Sequence, residues 1–357
     1  MKTNPLYKQI QEDIKERIRE GKLRPGDRIS SEKELAEQYH VSQITSKNAL
    51  VGLADEGILV RHQGKGTFVN KDVLNTHLTS SQGSQLDGRQ NKGIIGLIVP
   101  TLNTKVEQKI VNYIEQYAVQ NGYQIILRIS RESQLTESEA IESLIGIGAK
   151  GIIIFPTEEE TYNEDILRLS LNKFPLVLID RYLKEIRTYS VSSDNISGTF
   201  EAVTYMLDQG HEHIALISPE ITNTVTEDRV SGFEKAFYNQ KLPIHKNSWC
   251  IINMAEVHDR NCSNLLYDFF AARPEITAAF AMNAELSNFA FQALKGLGKS
   301  IPGDFMLFGF DDPECAGVCY VEQDEKSMCE QSVSHLLEQL EGVYNPQRTT
   351  IPIRLKK

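Results

Sequence analysis

The sequence predicts a multidomain protein in which a small N-terminal α+β unit precedes a larger, two-lobed α/β unit. Short helices and a β-hairpin are predicted within residues 1–70, and a polar stretch follows at 71–92. From residue 93 to residue 357, apolar strands alternate with helical stretches, which is typical of a parallel sheet covered by helices on both faces. A chain of 357 residues with 40% hydrophobic residues is long enough for two or three compact units.

Three helices are predicted in the N-terminal unit. The first is indicated by apolar residues at three- and four-residue spacing: Tyr7, Ile10, Ile14 and Ile18. Ser31 and Glu34 have the spacing of a capping box, which starts a second helix. Ser42 can cap a third helix that runs to about Glu56. Two short helices joined by a tight turn form the helix-turn-helix pattern.

Residues near the start of the third helix are candidates for DNA contact, because the second helix of a helix-turn-helix enters the major groove. Gln43 and Lys47 lie one turn apart on the same face, with Thr45 between them. The backbone amides at Ser31 and Ser42 lie at helix N-termini, where phosphate groups bind. Spacing alone leaves open an exposed helix in a small protein-binding module.

A β-hairpin is predicted after these helices and would form the wing of a winged helix-turn-helix. Residues 58–62 and 67–69 have strand character and flank the loop Gln63-Gly64-Lys65-Gly66. Lys65 can reach phosphate or the minor groove, so Gln63, Gly64, Lys65 and Gly66 are further DNA-contact candidates. Residues 71–92 are rich in polar residues and predict a flexible linker.

Charge is distributed unevenly between the two units. The net charge is −10, but residues 1–92 contain 15 Lys and Arg against 12 Asp and Glu, whereas the remainder contains 23 against 36. Because a polyanion responds to local potential, nucleic acid is expected to bind only the N-terminal segment.

Motifs across the first 70 residues resemble the GntR family of winged-helix transcription regulators. They include Gly21-Lys-Leu-Arg-Pro-Gly-Asp27, Ser31-Glu-Lys-Glu-Leu-Ala36 and Gly64-Lys-Gly-Thr-Phe-Val69. The resemblance implies a homodimer on palindromic operator DNA, contacted by the third helix, the start of the first helix and the wing. The family usually has arginine at the positions of Gln43 and Lys47, so its usual operator sequence is not expected here.

The C-terminal unit contains seven apolar segments that are predicted to be strands: Ile94–Val99, Gln124–Ile129, Gly151–Phe155, Leu176–Ile179, Ile214–Ile217, Ala278–Met282 and Met306–Phe310. A second run of strands begins after Asp194, which predicts two lobes with a cleft between them. Asp180, Asn283 and Asp311 each follow a strand at its carboxyl end, where open α/β sheets bind ligands. Taken singly, such residues more often cap helices or form turns.

This unit resembles the two-lobed effector domain of the LacI family and of periplasmic sugar-binding proteins. Landmarks are Pro175-Leu-Val-Leu-Ile-Asp-Arg181, Arg229-x-x-Gly-Phe233 and Gly309-Phe-Asp-Asp312. The resemblance implies effector contacts by Asp180, Arg229, Asn283, Asp311 and Gln323, with Thr101 and Asn103 as further contributors. Lobe one is expected at about 93–192 and 321–342, and lobe two at about 193–320 and 343–357. The combination with a GntR head is most similar to the arabinose repressor group, which suggests L-arabinose or a related pentose.

The sequence therefore predicts a sequence-specific transcription repressor that a small sugar releases from its operator. A sugar-dependent activator or a corepressor-type regulator remains an alternative. It would have the same domains, but the sugar would have the opposite effect on its regulation of transcription. A sugar transport component is opposed by the lack of a signal peptide. A sugar-converting enzyme is opposed by the lack of G-x-S-x-G and H-E-x-x-H motifs.

Neither a cofactor nor a metal is expected. The five cysteines do not form paired C-x-x-C motifs and are predicted to be free thiols. Because no stretch of 18 uncharged apolar residues occurs, we expect a soluble, cytoplasmic protein without a membrane partner.

Overall fold

The computed structural model describes residues 6–19, 21–55, 57–62, 66–70, 91–157, 162–253 and 262–357. The chain divides into two units, 1–90 and 91–357. Most of the predicted linker, together with Gln63, Gly64 and Lys65 of the wing loop, lies outside the described residues.

The N-terminal unit has the predicted winged helix-turn-helix elements, in the order α1 Leu6–Arg19, α2 Glu32–Gln38, α3 Gln43–Asp55, β1 Leu59–His62 and β2 Gly66–Val69. The two strands form an antiparallel hairpin, and Arg28 adds a bridge to Phe68. Ile10 and Ile14 of α1 are buried against α3, while Tyr7 and Ile18 pack at the edge of the same core. The predicted amphipathic face of α1 is therefore confirmed.

Side-chain hydrogen bonds fix where the two short helices begin. The Ser31 hydroxyl accepts from the Glu34 amide at 3.3 Å, and the Glu34 carboxylate accepts from the Ser31 amide at 2.7 Å. This is the predicted capping box. The Ser42 hydroxyl accepts from the Thr45 amide at 3.2 Å and caps α3.

The C-terminal unit alternates strands and helices along its whole length. Its helices are α4 Lys105–Gln120, α5 Gln134–Gly146, α6 Glu164–Leu171, α7 Asn195–Asp208, α8 Thr224–Asn239, α9 Cys262–Ala271, α10 Ala284–Gly296 and α11 Glu325–Leu340. Its strands are β3 Gly93–Val99, β4 Tyr123–Ile129, β5 Gly151–Ile154, β6 Leu176–Ile179, β7 Ser190–Ser193, β8 Ile214–Pro219, β9 Trp249–Ile252, β10 Ala278–Ala281, β11 Met306–Phe310, β12 Cys319–Glu322, β13 Arg348–Ile351 and β14 Arg354–Lys356.

These strands form two six-stranded sheets, one in each lobe. The first has the order β13-β7-β6-β5-β3-β4 and is parallel throughout. The second has the order β14-β12-β11-β10-β8-β9, in which only the β12–β14 pair is antiparallel. The central strands are buried along their full length because helices cover both faces of each sheet.

Within the described residues the chain crosses between the lobes three times, and the crossings correct the predicted lobe boundaries. α11 packs on α4 and on the first sheet, as predicted for residues 321–342. β12, however, pairs with β11, so residues 321–322 belong to lobe two. β13 pairs with β7, which places residues 348–351 in lobe one although 343–357 was predicted for lobe two. The lobe to which such a short strand belongs depends on which sheet edge it pairs with. The apolar pattern of the strand does not indicate that pairing.

Cys315, Cys319 and Cys329 are free thiols, and Cys250 and Cys262 are buried. Within the described ranges, the search for a helix both long and apolar enough to span a bilayer found none.

The contact between α7 and α8 depends on the missing side chain of Gly232. A β-carbon there would lie 2.4 Å from the Ile196 carbonyl oxygen, a backbone atom that cannot rotate away. We expect Gly232→Ala to lower the free energy of unfolding of the C-terminal unit by about 2 kcal/mol, because the helices must separate. Urea denaturation measures the change.

Gly146→Ala is the matched control, since a β-carbon at Gly146 on α5 meets nothing within 4 Å among the residues that the structure describes. This variant should be as stable as the wild type, or more stable by up to about 1 kcal/mol. Equal stability of the two variants would contradict the proposed packing constraint.

Candidate functional site

Helix α3 presents a polar, partly basic face to solvent. Gln43 and Lys47 are exposed one turn apart, as predicted. Thr45 is half-buried, and its hydroxyl lies 2.8 Å from the Ser42 hydroxyl. Gln43 and Lys47 are therefore the freer of these groups to contact an external partner.

The orientation of α3 is fixed by a buried hydroxyl. The Ser46 side chain is fully buried and donates to the carbonyl oxygen of Glu32 at 2.6 Å, at the start of α2. The Gln11 amide donates to the Ala49 carbonyl at 3.1 Å and fixes the other side of α3 against α1. Both helices adjoining α3 thus set the direction of its exposed face. Gly66, at the end of the wing loop, adopts a φ of +116° that favours glycine.

The second candidate site is built around Arg229, a buried guanidinium on α8. Its Nε donates to the Asn195 side-chain oxygen at 2.9 Å, and its Nη1 donates to the Met282 carbonyl. The guanidinium also lies 3.4 Å from the centre of the Phe310 ring. A single cation therefore connects α7, α8 and the carboxyl ends of β10 and β11.

Two carboxylates lie near this cation, that of the buried Asp180 of lobe one and that of the half-buried Asp311 of lobe two. Asp180 directly follows β6 and Asp311 directly follows β11. Both adopt left-handed backbone conformations, with φ of 68° and 66°. Aspartate tolerates this region better than most residues, and such strain concentrates at functional sites.

Gln323, on the crossover between β12 and α11, completes this group. Its amide nitrogen donates to the Asp311 carboxylate at 2.8 Å. Its side-chain oxygen is buried and has no hydrogen-bond partner in the part of the chain that the structure describes. A buried acceptor without a donor costs free energy, which a bound molecule carrying a hydroxyl would recover.

Burial shifts the acid–base equilibria of this cluster. It raises the pKa of Asp311 to about 6, although the Arg229 charge and the Gln323 hydrogen bond oppose the shift. Burial likewise raises the pKa of Asp180, against the nearby Arg229 and Arg181 charges. For Arg229, burial lowers the pKa, and the three carboxylates of Asp311, Asp180 and Asp228 counteract this. The charges of the three predicted residues Asp180, Arg229 and Asp311 thus act on one another.

Asp228, next to Arg229 on α8, links the two lobes. Its carboxylate accepts from the Tyr182 hydroxyl at 3.1 Å and from the Arg348 guanidinium at 2.8 Å. Tyr182 and Arg348 both belong to lobe one, and the Arg348 guanidinium stacks 3.4 Å from the Tyr182 ring centre. The Tyr182 amide also donates to the Thr224 hydroxyl of lobe two at 3.3 Å. The lobes are therefore held together beside the Arg229 cluster.

A cavity of about 260 Å³ adjoins these contacts and is lined from both lobes. Lobe one contributes Glu137, Thr157 and Arg181, and lobe two contributes Asn223 and Glu227. Glu137 is fully buried, and its carboxylate accepts from the Thr157 amide at 3.0 Å and the Asn163 side chain at 2.9 Å. Burial raises the pKa of Glu137 to about 7, although these hydrogen bonds oppose it.

Three further predicted contributors, Asn283, Thr101 and Asn103, make local hydrogen bonds. The Asn283 side-chain oxygen caps α10, accepting from the Leu286 amide at 2.8 Å. The Thr101 hydroxyl donates to the Glu107 carboxylate at 2.7 Å. The charge of that carboxylate helps to raise the pKa of Asp180. Asn103 is exposed, and its backbone amide donates to the Thr101 hydroxyl at 3.2 Å.

The sequence interpretation missed several residues of this site. Asn195 and Asp228 carried a weak signal, since the first starts a helix after a strand and the second adjoins Arg229. Tyr182, Glu137 and Arg348 carried none, because contacts across 26 to 120 residues of chain bring them to the cleft.

Family comparisons match both units. Residues 6–69 match the model of the gntR family of bacterial regulatory proteins. Residues 95–317, more than half of the chain, match the periplasmic binding protein domain.

Individual relatives agree with these matches. An arabinose metabolism transcriptional repressor of Geobacillus stearothermophilus is 27% identical over 316 residues, covering 87% of this chain and 83% of the relative. The repressor of the same description from Halalkalibacterium halodurans is 25% identical and covers 86% and 80%. The repressor PurR of Haemophilus influenzae is 27% identical over 270 residues, covering 72% and 78%.

Solved structures show the same fold. The regulator CelR in complex with cellobiose has a TM-score of 0.67 at 18% identity, covering 89% of this chain and 90% of that chain. CcpA of Lactococcus lactis has a TM-score of 0.66 at 16% identity, covering 74% and 97%.

The raised pKa of Glu137 predicts a pH-dependent stability. Because its pKa is about 7 in the folded protein and 4.5 ordinarily, the folded state binds the proton more tightly, and stability falls as pH rises from about 4.5 to 7. Glu137→Gln removes this contribution. We expect the variant to gain on the order of 2 kcal/mol relative to the wild type between pH 5 and pH 8. Urea denaturation at both pH values measures it.

Glu139→Gln, at an exposed position on the same helix, is the control and should follow the wild type at both pH values. If the wild type and Glu137→Gln lose stability in parallel, the carboxyl group does not titrate in this range.

Proposed function

The chain belongs to the periplasmic binding protein domain family and carries a gntR-family head, and from this we propose that it is a transcription repressor that a small sugar releases from operator DNA. In this proposal the N-terminal unit binds DNA and the C-terminal unit binds the sugar. The relatives named above are transcriptional repressors, so we expect the sugar to be bound and not converted.

One observation carries the sugar assignment, namely the cluster of buried Asp180, Arg229 and Gln323 with half-buried Asp311. These residues come from both lobes and from the carboxyl ends of strands or the helices that follow, where α/β sheets bind ligands. A guanidinium offers paired donors and a carboxylate offers paired acceptors, which match neighbouring hydroxyl groups of a sugar ring. The Gln323 side-chain oxygen would accept from a further hydroxyl.

The effector is proposed to be L-arabinose or a related pentose. This rests on the names of the two relatives that cover most of the chain, both described as arabinose metabolism transcriptional repressors. The nearby cavity, lined by Glu137 and Glu227, adds polar groups from both lobes that could surround the same ligand.

The head is proposed to bind operator half-sites as part of a homodimer in the cytoplasm. Gln43 can make a bidentate contact to adenine, and Lys47 can reach guanine or phosphate. The amides at the N-termini of α2 and α3, next to Ser31 and Ser42, would bind phosphate groups. Gln63, Gly64, Lys65 and Gly66 of the wing remain proposed contacts to phosphate or to the minor groove.

Release follows if the sugar favours a lobe arrangement with lower DNA affinity. The ion pair of Asp228 with Arg348 and the Tyr182 contacts join the lobes directly, so a ligand at Arg229 would act on the same interface. The sugar needs only to bind one arrangement more tightly than the other for the population to shift.

This mechanism predicts reciprocal coupling between the two ligands. If the sugar raises the dissociation constant for operator DNA, operator DNA must raise the dissociation constant for the sugar by the same factor. This factor is usually about 5- to 150-fold. Fluorescence anisotropy with upstream DNA, at fixed salt and with a panel of pentoses and hexoses, measures one factor, and calorimetry with and without DNA measures the other.

Two outcomes would change the proposal. Tighter DNA binding with sugar would establish a corepressor-type regulator. DNA binding that no sugar alters would refute the effector assignment while leaving the head assignment intact.

A single substitution tests the sugar site. Within the described part of the chain, the Asp180 carboxylate makes no side-chain hydrogen bond that the substitution would break. Asp180→Asn should therefore fold normally while losing an ionic acceptor for sugar hydroxyls. We expect sugar affinity to fall at least about tenfold, since a charge-assisted hydrogen bond contributes about 1.5–3 kcal/mol. DNA affinity without sugar should stay within about twofold.

The matched control is Asp208→Asn, at an exposed position at the end of α7, which should bind both ligands as the wild type does. Arg229→Ala should also abolish the sugar response and preserve DNA affinity. Loss of operator binding by Asp180→Asn would instead indicate a structural role for that carboxylate.

A further inference from the structure

One large apolar side chain stands on the exposed face of α3. Ile44 is 72% exposed, in the first turn of the helix. Lys47 and Asn48 are exposed three and four residues after it, the spacing that places them on the same face, and the exposed Gln43 directly precedes it. The opposite face of α3, including Leu50, is buried in the core of the head.

The position of Ile44 is well defined despite its exposure. The Ser42 cap fixes the start of α3, and the buried Ser46 hydroxyl fixes its rotation against α2. An isoleucine in a helix strongly prefers one rotamer, so its apolar surface has a set direction. Ile44 is therefore a rigid apolar contact within a polar surface.

A second protein surface does not fit this residue well. Apolar interfaces between proteins use contiguous patches of several hundred Å². Ile44 has polar or charged exposed neighbours in Gln43, Lys47 and Asn48. DNA fits better, because the C5-methyl of thymine is the apolar group that the major groove displays.

We propose that Ile44 packs against a thymine methyl in each operator half-site and is a specificity-determining residue of the head. The contact rests on the proposed function and deepens it, because it names a base that the operator must contain. Gln43, the preceding residue, can read adenine. Together the two residues favour an A·T-containing segment at the start of the recognition helix.

Replacing single thymines by uracil tests the contact, because uracil lacks only the methyl group. The operator fragment that the full-length protein binds is first narrowed by footprinting. Each thymine of the half-site is then replaced in turn, and dissociation constants are measured by anisotropy at one fixed salt concentration. For the wild type we expect about fourfold weaker binding at one thymine per half-site.

Variants assign the effect to Ile44. Ile44→Ala should bind the unmodified operator about fourfold more weakly per half-site and lose nothing further when that thymine is replaced. Ile44→Val, which keeps the β-branch, should retain most of the sensitivity. Leu171→Ala removes an apolar side chain that is 82% exposed on the C-terminal unit, and it should behave as the wild type.

The proposal is overturned if every uracil substitution leaves wild-type affinity within about twofold, or if Ile44→Ala shows the same pattern of losses as the wild type. Circular dichroism melts check that the variants fold, which an exposed position should allow. Failure of the wild type to bind any upstream DNA would instead refute the proposed function of the head.

Discussion

The burial of one positive charge constrains much of the C-terminal unit. A guanidinium removed from water is costly unless hydrogen bonds and opposite charges surround it. Arg229 obtains these from the Asn195 side chain, the Met282 carbonyl and the carboxylates that flank it. These groups belong to different helices and strands. The hydrogen bonds and charge interactions that Arg229 requires therefore fix how α7, α8, β10 and β11 pack together. The same arrangement leaves carboxylates and an amide oxygen available to a polar ligand.

The N-terminal unit follows the same logic on a smaller scale. The buried Ser46 hydroxyl and the Gln11 amide each satisfy a carbonyl oxygen of a neighbouring segment, and in doing so they orient α3. In both units, buried polar groups determine the direction of an element, whereas the apolar core determines only that the element packs. Buried hydrogen bonds are directional, and apolar contacts are much less so.

Much of the fold could be predicted from local sequence patterns. The capping box at Ser31, the apolar face of α1 and the buried strands of both sheets are short-range features that leave a periodic signal. The order of the C-terminal strands could not be predicted, because β13 and β14 are short and join different sheets. Of the cleft residues, Asp180 and Asp311 were found because they end apolar strands. Tyr182, Glu137 and Arg348 were not, because their roles arise from distant pairing.

The left-handed backbone at Asp180 and Asp311 limits how such a cleft can diversify during evolution. At both positions the strand amide still pairs with a neighbouring strand, to Val191 and Val321, so the turn geometry is built into each sheet. β-branched residues would add backbone strain to the loss of the carboxylate, whereas glycine, asparagine and aspartate adopt this conformation at the lowest cost. Substitutions that change the lining of the cleft would therefore cost less backbone strain at positions with ordinary backbone, such as Tyr182 and Thr101, than at the two aspartates.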